Sequence, residues 1–107
     1  MITFKIHQIK DIEKADYAFR SFNPNKFNFG DYEERYEMEF VSGMEQTDLE
    51  ICETIFHIFN LRRPEDFKGH SLSVSDIIEI NRHGSSSFYY CNVCGFTKLN
   101  KNDLQIM

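Results

Sequence analysis

Arg35 to Val41 reads RYEMEFV, and its strict alternation leaves few folds open. In an extended strand Tyr36, Met38 and Phe40 project to one side and Glu37 and Glu39 to the other. Such a strand belongs in an antiparallel sheet with one face packed and one face wet. The cover for the packed face follows directly in the chain. Thr47-Asp48-Leu49-Glu50 has the form of a capping box, in which a Thr oxygen and a Glu carboxylate each satisfy an orphan N–H of a helix start. The helix is expected to run to about Asn60, with Leu49, Cys52, Ile55, Phe56 and Phe59 on one broad apolar face, and to end at Arg62-Arg63-Pro64.

The rest of the chain supplies partners for that strand. Ile2, Phe4 and Ile6 alternate with polar residues before a slip to Ile9, which predicts a first strand over 2–9. Asp11 is placed to cap a short helix through about Phe19. FNPNKFNFG, residues 22–30, reads as a loop, and its three phenylalanines imply that it packs down. Residues 65–75 form a connector. Asp76 to Arg82 predicts a third strand with Ile78 and Ile80 on one face and Ile77 on the other. After a turn at His83-Gly84-Ser85-Ser86, Phe88 to Val93 completes a hairpin. Phe96 to Leu99 is a short fifth strand, and the tail from Asn100 is expected to fray. The expected fold is α+β: a small antiparallel sheet of about four to five strands packed with one main helix and one short helix.

The 107 residues are the size of one compact domain, read as 1–107. With 11 Phe and 5 Tyr the chain can build a core without staples. Three cysteines, an odd number, argue against a disulfide scaffold. Met1-Ile-Thr-Phe-Lys-Ile-His lacks the features of a signal peptide, and no stretch has the roughly 20 apolar residues of a membrane span. A cytoplasmic protein is expected.

Charge is distributed unevenly. Residues 31–53 hold nine acids, Asp31, Glu33, Glu34, Glu37, Glu39, Glu45, Asp48, Glu50 and Glu53, against Arg35 alone, a net of −8. The remainder has 8 acids and 11 bases, a net of +3. Direct binding of a phosphate backbone through the acidic block is disfavoured, and a basic protein surface is its natural complement. A charge run is ordinarily a solvated face, and acids gather at helix N-termini for electrostatic reasons. Those reasons cover Asp48, Glu50 and Glu53 better than they cover Glu37 and Glu39.

Other candidate chemistry is thin. Cys91-Asn92-Val93-Cys94 is a C-x-x-C without a second ligand pair, and neither a metal nor any other cofactor is expected. The histidines His7, His57, His70 and His83 are dispersed, with a meeting of His70 and His83 across the connector and hairpin left open. Ser71, Ser73 and Ser75 lack a nucleophile-elbow pattern. Tyr32, Tyr36, Phe88, Tyr89 and Tyr90 suit core packing better than base stacking. No catalytic residue set is evident.

The stretch Pro64 to Ile78, PEDFKGHSLSVSDII, resembles the YodL-like domain of Firmicutes mobile elements. Phe88-Tyr89-Tyr90-Cys91 and Gly95-Phe96-Thr97-Lys98-Leu99 fit the same pattern, as does Tyr36-Glu37-Met38-Glu39-Phe40 upstream, and the likeness is most specific over about 64–99. Some small proteins with similar sequences are type II-A anti-CRISPR proteins, inhibitors of Cas9. The resemblance implies a mobile-element protein and does not by itself name the host system it meets. Joined to the acidic block, it leads to the expectation of a non-catalytic anti-defence protein, foremost an anti-CRISPR inhibitor, whose acidic residues meet a basic groove of Cas9 or another host nuclease. The alternative is an interaction module of a conjugative element, dimerising through the 77–93 hairpin or a free sheet edge. In either case Gly69, Ser71, Ser73, Ser75 and Asp76 read as residues that shape the connector backbone.

Overall fold

The computed structural model describes residues 2–40, 46–61, 64–67 and 70–105. Strands β1 (Ile2–Ile9), β2 (Tyr32–Phe40), β3 (Ile77–Arg82), β4 (Ser85–Cys91) and β5 (Phe96–Lys98) form one antiparallel sheet in the order β2-β1-β3-β4-β5. Helix α1 (Asp48–Leu61) packs on one face. The α+β architecture is the expected one.

The sheet has two cores because both of its faces are partly covered. Under α1, Phe4 and Ile6 of β1, Ile78 and Ile80 of β3 and Tyr89 and Cys91 of β4 pack with Ile51, Cys52, Ile55 and Phe59. On the opposite face Ile9, Tyr32, Ile77, Tyr90 and Leu99 pack with Ala15, Tyr17 and Phe27 from the segment between β1 and β2. The single isoleucine step between Ile77 and Ile78 therefore feeds both cores. The phenylalanines of the 22–30 loop do pack down: Phe27 is buried, and Phe22 and Phe29 flank it. Tyr32, Tyr89 and Tyr90 are buried as well, which makes these three core residues, while Tyr36 is partly buried against the same core as Tyr89.

Several local expectations change. The helix expected after Asp11 is a single 3₁₀ turn, Ile12–Lys14, capped by the Asp11 carboxylate on Glu13 N–H. Ala15 is extended and buried, and Phe19 adopts φ 63°, so tertiary packing overrides helix propensity there. In α1 the buried stripe is Ile51, Cys52, Ile55 and Phe59, while Leu49 is exposed. Anchoring of Asp48 on Arg82 and Tyr89 sets this rotation of the helix. The capping box forms as expected: Thr47 N–H donates to Glu50 Oε1 at 2.9 Å and Glu50 N–H to Thr47 Oγ1 at 3.2 Å. The expected strand end at Ser42-Gly43 and the Arg62-Arg63 stop lie outside the described residues.

The β3–β4 hairpin is tighter than expected. Arg82 pairs with Ser85, leaving His83 and Gly84 as a two-residue turn with φ 53° and 86°. Positive φ at both positions is the signature of a type I′ turn, whose twist matches the strands. β1 flanks the hairpin on one side, and on the other β5 covers β4 only over Tyr89–Cys91. Where the sequence suggests fraying, Asn100 and Asp103 bond each other's backbone N–H groups and Leu104 packs on the second core.

Candidate functional site: an acidic sheet face beside a polar knot

β2 is an edge strand, and its register on β1 decides where the acids go. Ile6 pairs with Tyr36, but His7 pairs with Glu34, so Arg35 is an extra residue, a β-bulge. Simple alternation would put Glu34 on the side of Tyr36. The bulge moves it to the side of Glu37, because a one-residue slip flips every later side chain. Glu34, Glu37 and Glu39 thus share the face opposite α1.

Lys5 sits among them, its Nζ 3.3 Å from Glu34 and 3.9 Å from Glu37. The bond to Glu34 and the nearby charge of Glu79 help to raise the Lys5 ammonium above its ordinary value. Glu79 reaches this face from β3, opposite Lys5 in the register. It accepts from His7 Nε2 at 2.8 Å and from Ser86 Oγ at 2.8 Å. Burial pushes the Glu79 carboxyl upward, but those two bonds and the charges of His7 and Lys5 outweigh it and hold the group below the usual range. Phe29 and Phe88 pack against the His7 ring, marking where the covered half of this face ends. Beyond them lie four carboxylates, three of them acting on the Lys5 ammonium, with Glu37 and Glu39 exposed. Glu39 pairs with Thr3 in the ladder.

The other acids of the 31–53 block are not part of this face. Asp31 accepts from the Tyr17 hydroxyl at 2.8 Å. Glu33 turns to the opposite side and pairs with Arg35. Asp48 accepts from Arg82 Nε at 2.7 Å and Tyr89 OH at 2.6 Å. Burial works against ionising Asp48, yet these partners lower its pKa on balance. Glu50 closes the capping box. Glu53 is exposed on α1, at a groove of about 470 Å³ with Phe56, His57, Val93 and Phe96. Glu45 lies outside the described residues. Sequence reasoning misses Glu79, Lys5 and His7. The alternation of β3 does place Glu79 with Ile77, but only the pairing of β3 with β1 brings it to Glu37.

The motif that carries the family resemblance forms a separate feature, a buried polar knot at the start of β3. Asp76 Oδ2 accepts from Ser73 N at 2.8 Å and from Gln8 Nε2 at 3.0 Å. Gln8 Nε2 also reaches the His70 carbonyl at 3.0 Å. Ser75 Oγ accepts from Phe19 N–H at 2.9 Å, and its carbonyl accepts from the Tyr32 hydroxyl. Ser75 N–H and Cys91 N–H extend the β3–β4 pairing through Cys91 and Asp76 carbonyls. These bonds hold Ser75 at φ 80°, a conformation that costs a non-glycine residue about 1–3 kcal/mol. Burial raises the Asp76 carboxyl to about 6 despite the bonds it accepts. Ser73, Ser75 and Asp76 therefore shape the backbone as expected, and Gly69 lies outside the described residues. His70 turns toward Asp76, with its Nδ1 2.7 Å from the Ser71 carbonyl, whereas His83 occupies the hairpin turn.

Cys91 is buried in the same core as Cys52, while Cys94 is exposed, so the C-x-x-C does not form a paired unit. Among the described residues no three His, Cys, Asp or Glu side chains converge as a metal site, and no helix is long and apolar enough to cross a membrane.

No curated protein and no solved structure matches the chain. The sequence model of the YodL-like domain matches residues 3–101, from β1 through the turn after β5. The chain belongs to the YodL-like domain family.

Proposed function

We propose that this protein is a mobile-element anti-defence factor, an anti-CRISPR inhibitor that binds a basic groove of Cas9 and keeps guide RNA or target DNA from occupying it. The observation that carries the reading is the gathering of Glu34, Glu37, Glu39 and Glu79 on one uncovered sheet face at an edge strand. Edge strands use charge to prevent wrong pairing, which accounts for isolated acids there. It does not account for acids recruited from β3 and, through the bulge, from Glu34. Glu37 and Glu39 stand about 6.6–6.8 Å apart along the strand, close to the phosphate spacing along a nucleic-acid strand. The inhibitor acts by occupancy and needs no catalytic group.

The test is DNA cleavage by purified Cas9, with the protein added before or after guide loading. Inhibition is expected to weaken as salt rises, since exposed charges are screened over roughly 8–10 Å at physiological salt. The pair Glu37→Lys and Glu39→Lys should abolish it. Persistence of full inhibition in that variant, at equal folded protein, would sink the acidic-face reading. The free outer edge of β2 favours a second reading, a non-inhibitory interaction module of a conjugative element. Binding of a partner without any effect on cleavage would select it.

A further inference from the structure

The same strand that carries the acids has an unused edge and an apolar cleft beside it. Among the described residues β2 pairs with β1 on one side only. Along its α1 side runs a mainly apolar cleft of about 310 Å³ between Phe4 and Met38 of the sheet and Ile55, Ile58 and Phe59 of α1, with Thr54, Pro64 and Glu39 also on its lining. Met38 is 47% exposed and Ile58 39%, so two large apolar side chains face solvent where the core would otherwise close. On the other side of the strand stand Glu37 and Glu39, also exposed.

We infer that β2 recruits an extended segment of a partner protein as a sixth strand, and that this segment alternates apolar and basic residues. The inference deepens the preceding reading and rests on it for the role of β2. It follows from strand geometry. A residue paired with β2 projects to the same face as the β2 residue opposite it. A residue opposite Met38 thus points toward α1 and into the cleft, while its neighbours point to the open face, opposite Glu37 and Glu39. Main-chain hydrogen bonds to the free edge supply sequence-independent affinity, and the alternate pockets supply selection. Charge complementarity identifies the occupant: the chemistry that fits one face is apolar and the chemistry that fits the other is Lys or Arg.

A second copy of this chain is a poor occupant. β2 carries Glu33, Glu34, Glu37 and Glu39 against Arg35 alone, so a β2–β2 pairing would bring two strands of net −3 together. Nucleic acid is excluded by the same charge, and its backbone has no N–H and C=O ladder to pair.

The experiment uses a fluorescent peptide of four Val-Lys repeats and a control of identical composition in Val-Val-Lys-Lys order, titrated against the full chain by anisotropy. The alternating peptide should bind at least about tenfold more tightly than the control. Met38→Glu, a change at an exposed position, should remove that preference without lowering the unfolding midpoint, and backbone amide shifts should concentrate on residues 36–40 of β2. Equal binding of the two peptides, no binding up to about 1 mM, shifts confined to the Glu53 groove, or indifference to Met38→Glu would each overturn the proposal. So would a dimer in sedimentation that Met38→Glu dissociates, since it would assign the edge to a second copy. If the peptide result fails while Glu37→Lys and Glu39→Lys still abolish Cas9 inhibition, strand addition falls and the acidic-face reading stands. Selective peptide binding without Cas9 inhibition gives the converse.

Discussion

Replacing Asp76 by Asn and by Ala separates two contributions that the knot at the start of β3 combines. The carboxylate is 2% exposed and accepts from Ser73 N–H and Gln8 Nε2. Burial, the largest influence, raises its pKa from 3.8 to about 6. A raised carboxyl binds its proton more tightly in the folded chain than in the unfolded one. Its stabilising contribution is therefore fully present below 3.8 and is lost as pH climbs through about 6. At roughly 1.4 kcal/mol per pH unit, the loss is about 3 kcal/mol by neutral pH. Asn is neutral throughout and keeps an acceptor oxygen for both donors. Relative to wild type, Asp76→Asn should gain up to about 3 kcal/mol between pH ~4 and ~7. Asp76→Ala removes the acceptor and strands two buried donors, at about 1–3 kcal/mol each. The assay is urea unfolding followed by circular dichroism across that pH range, taken as the difference from wild type. Taking differences cancels the Asp48 and Glu79 carboxyls, whose lowered pKa values make stability rise with pH. A difference that stays flat with pH, or an Asn variant as unstable as the Ala variant, would refute the reasoning.

Two further outcomes are expected. Thr47→Ala deletes the hydroxyl that accepts Glu50 N–H at 3.2 Å and should cost about 1 kcal/mol, read as a drop of roughly 4–8 °C in thermal midpoint. A thiol reagent should label Cys94 in the native protein but reach Cys52 and Cys91 only in denaturant. Both are buried, and burial pushes the Cys52 thiol up to about 12 and Cys91 well above its ordinary value. Cys94→Ser should leave the unfolding midpoint unchanged.

What could be read from the sequence was what depends on neighbours along the chain. Within RYEMEFV, Tyr36 packs on the core under α1 while Glu37 faces away, as the alternation foretells, and the capping box at Thr47 and Glu50 is a contact of three residues' span. Ile77 and Ile78 announce a strand buried on both faces by adjacency alone. What could not be read depends on pairing across distance. The strand order sets β3 beside β1, and only then does Glu79 stand opposite Lys5. The Arg35 bulge is invisible in the alternation, since ERY differs from a regular strand only by what it faces. The short helix after Asp11 fails for a related reason: Ser75, 56 residues away, captures the Phe19 N–H. The candidate site was legible for Glu37 and Glu39, and the grouping that distinguishes them from Asp48, Glu50 and Glu53 was not.

The placement of β1 between β2 and β3 has a kinetic meaning. His7 and Glu79 meet across 72 positions, and closing a loop of that length costs roughly 4 kcal/mol in chain entropy before any contact repays it. β1 and β2 alone would be a two-stranded ribbon, which is marginal in water. On a growing chain, β1 therefore waits with one edge unpaired until β3 has been made, while the aromatic loop and α1 have only half a sheet to pack on. The charged face cannot be assembled earlier than that closure, because its members come from strands at opposite ends of the chain. A protein of this design folds late and as a whole, and its acidic face is among the last of its features to appear.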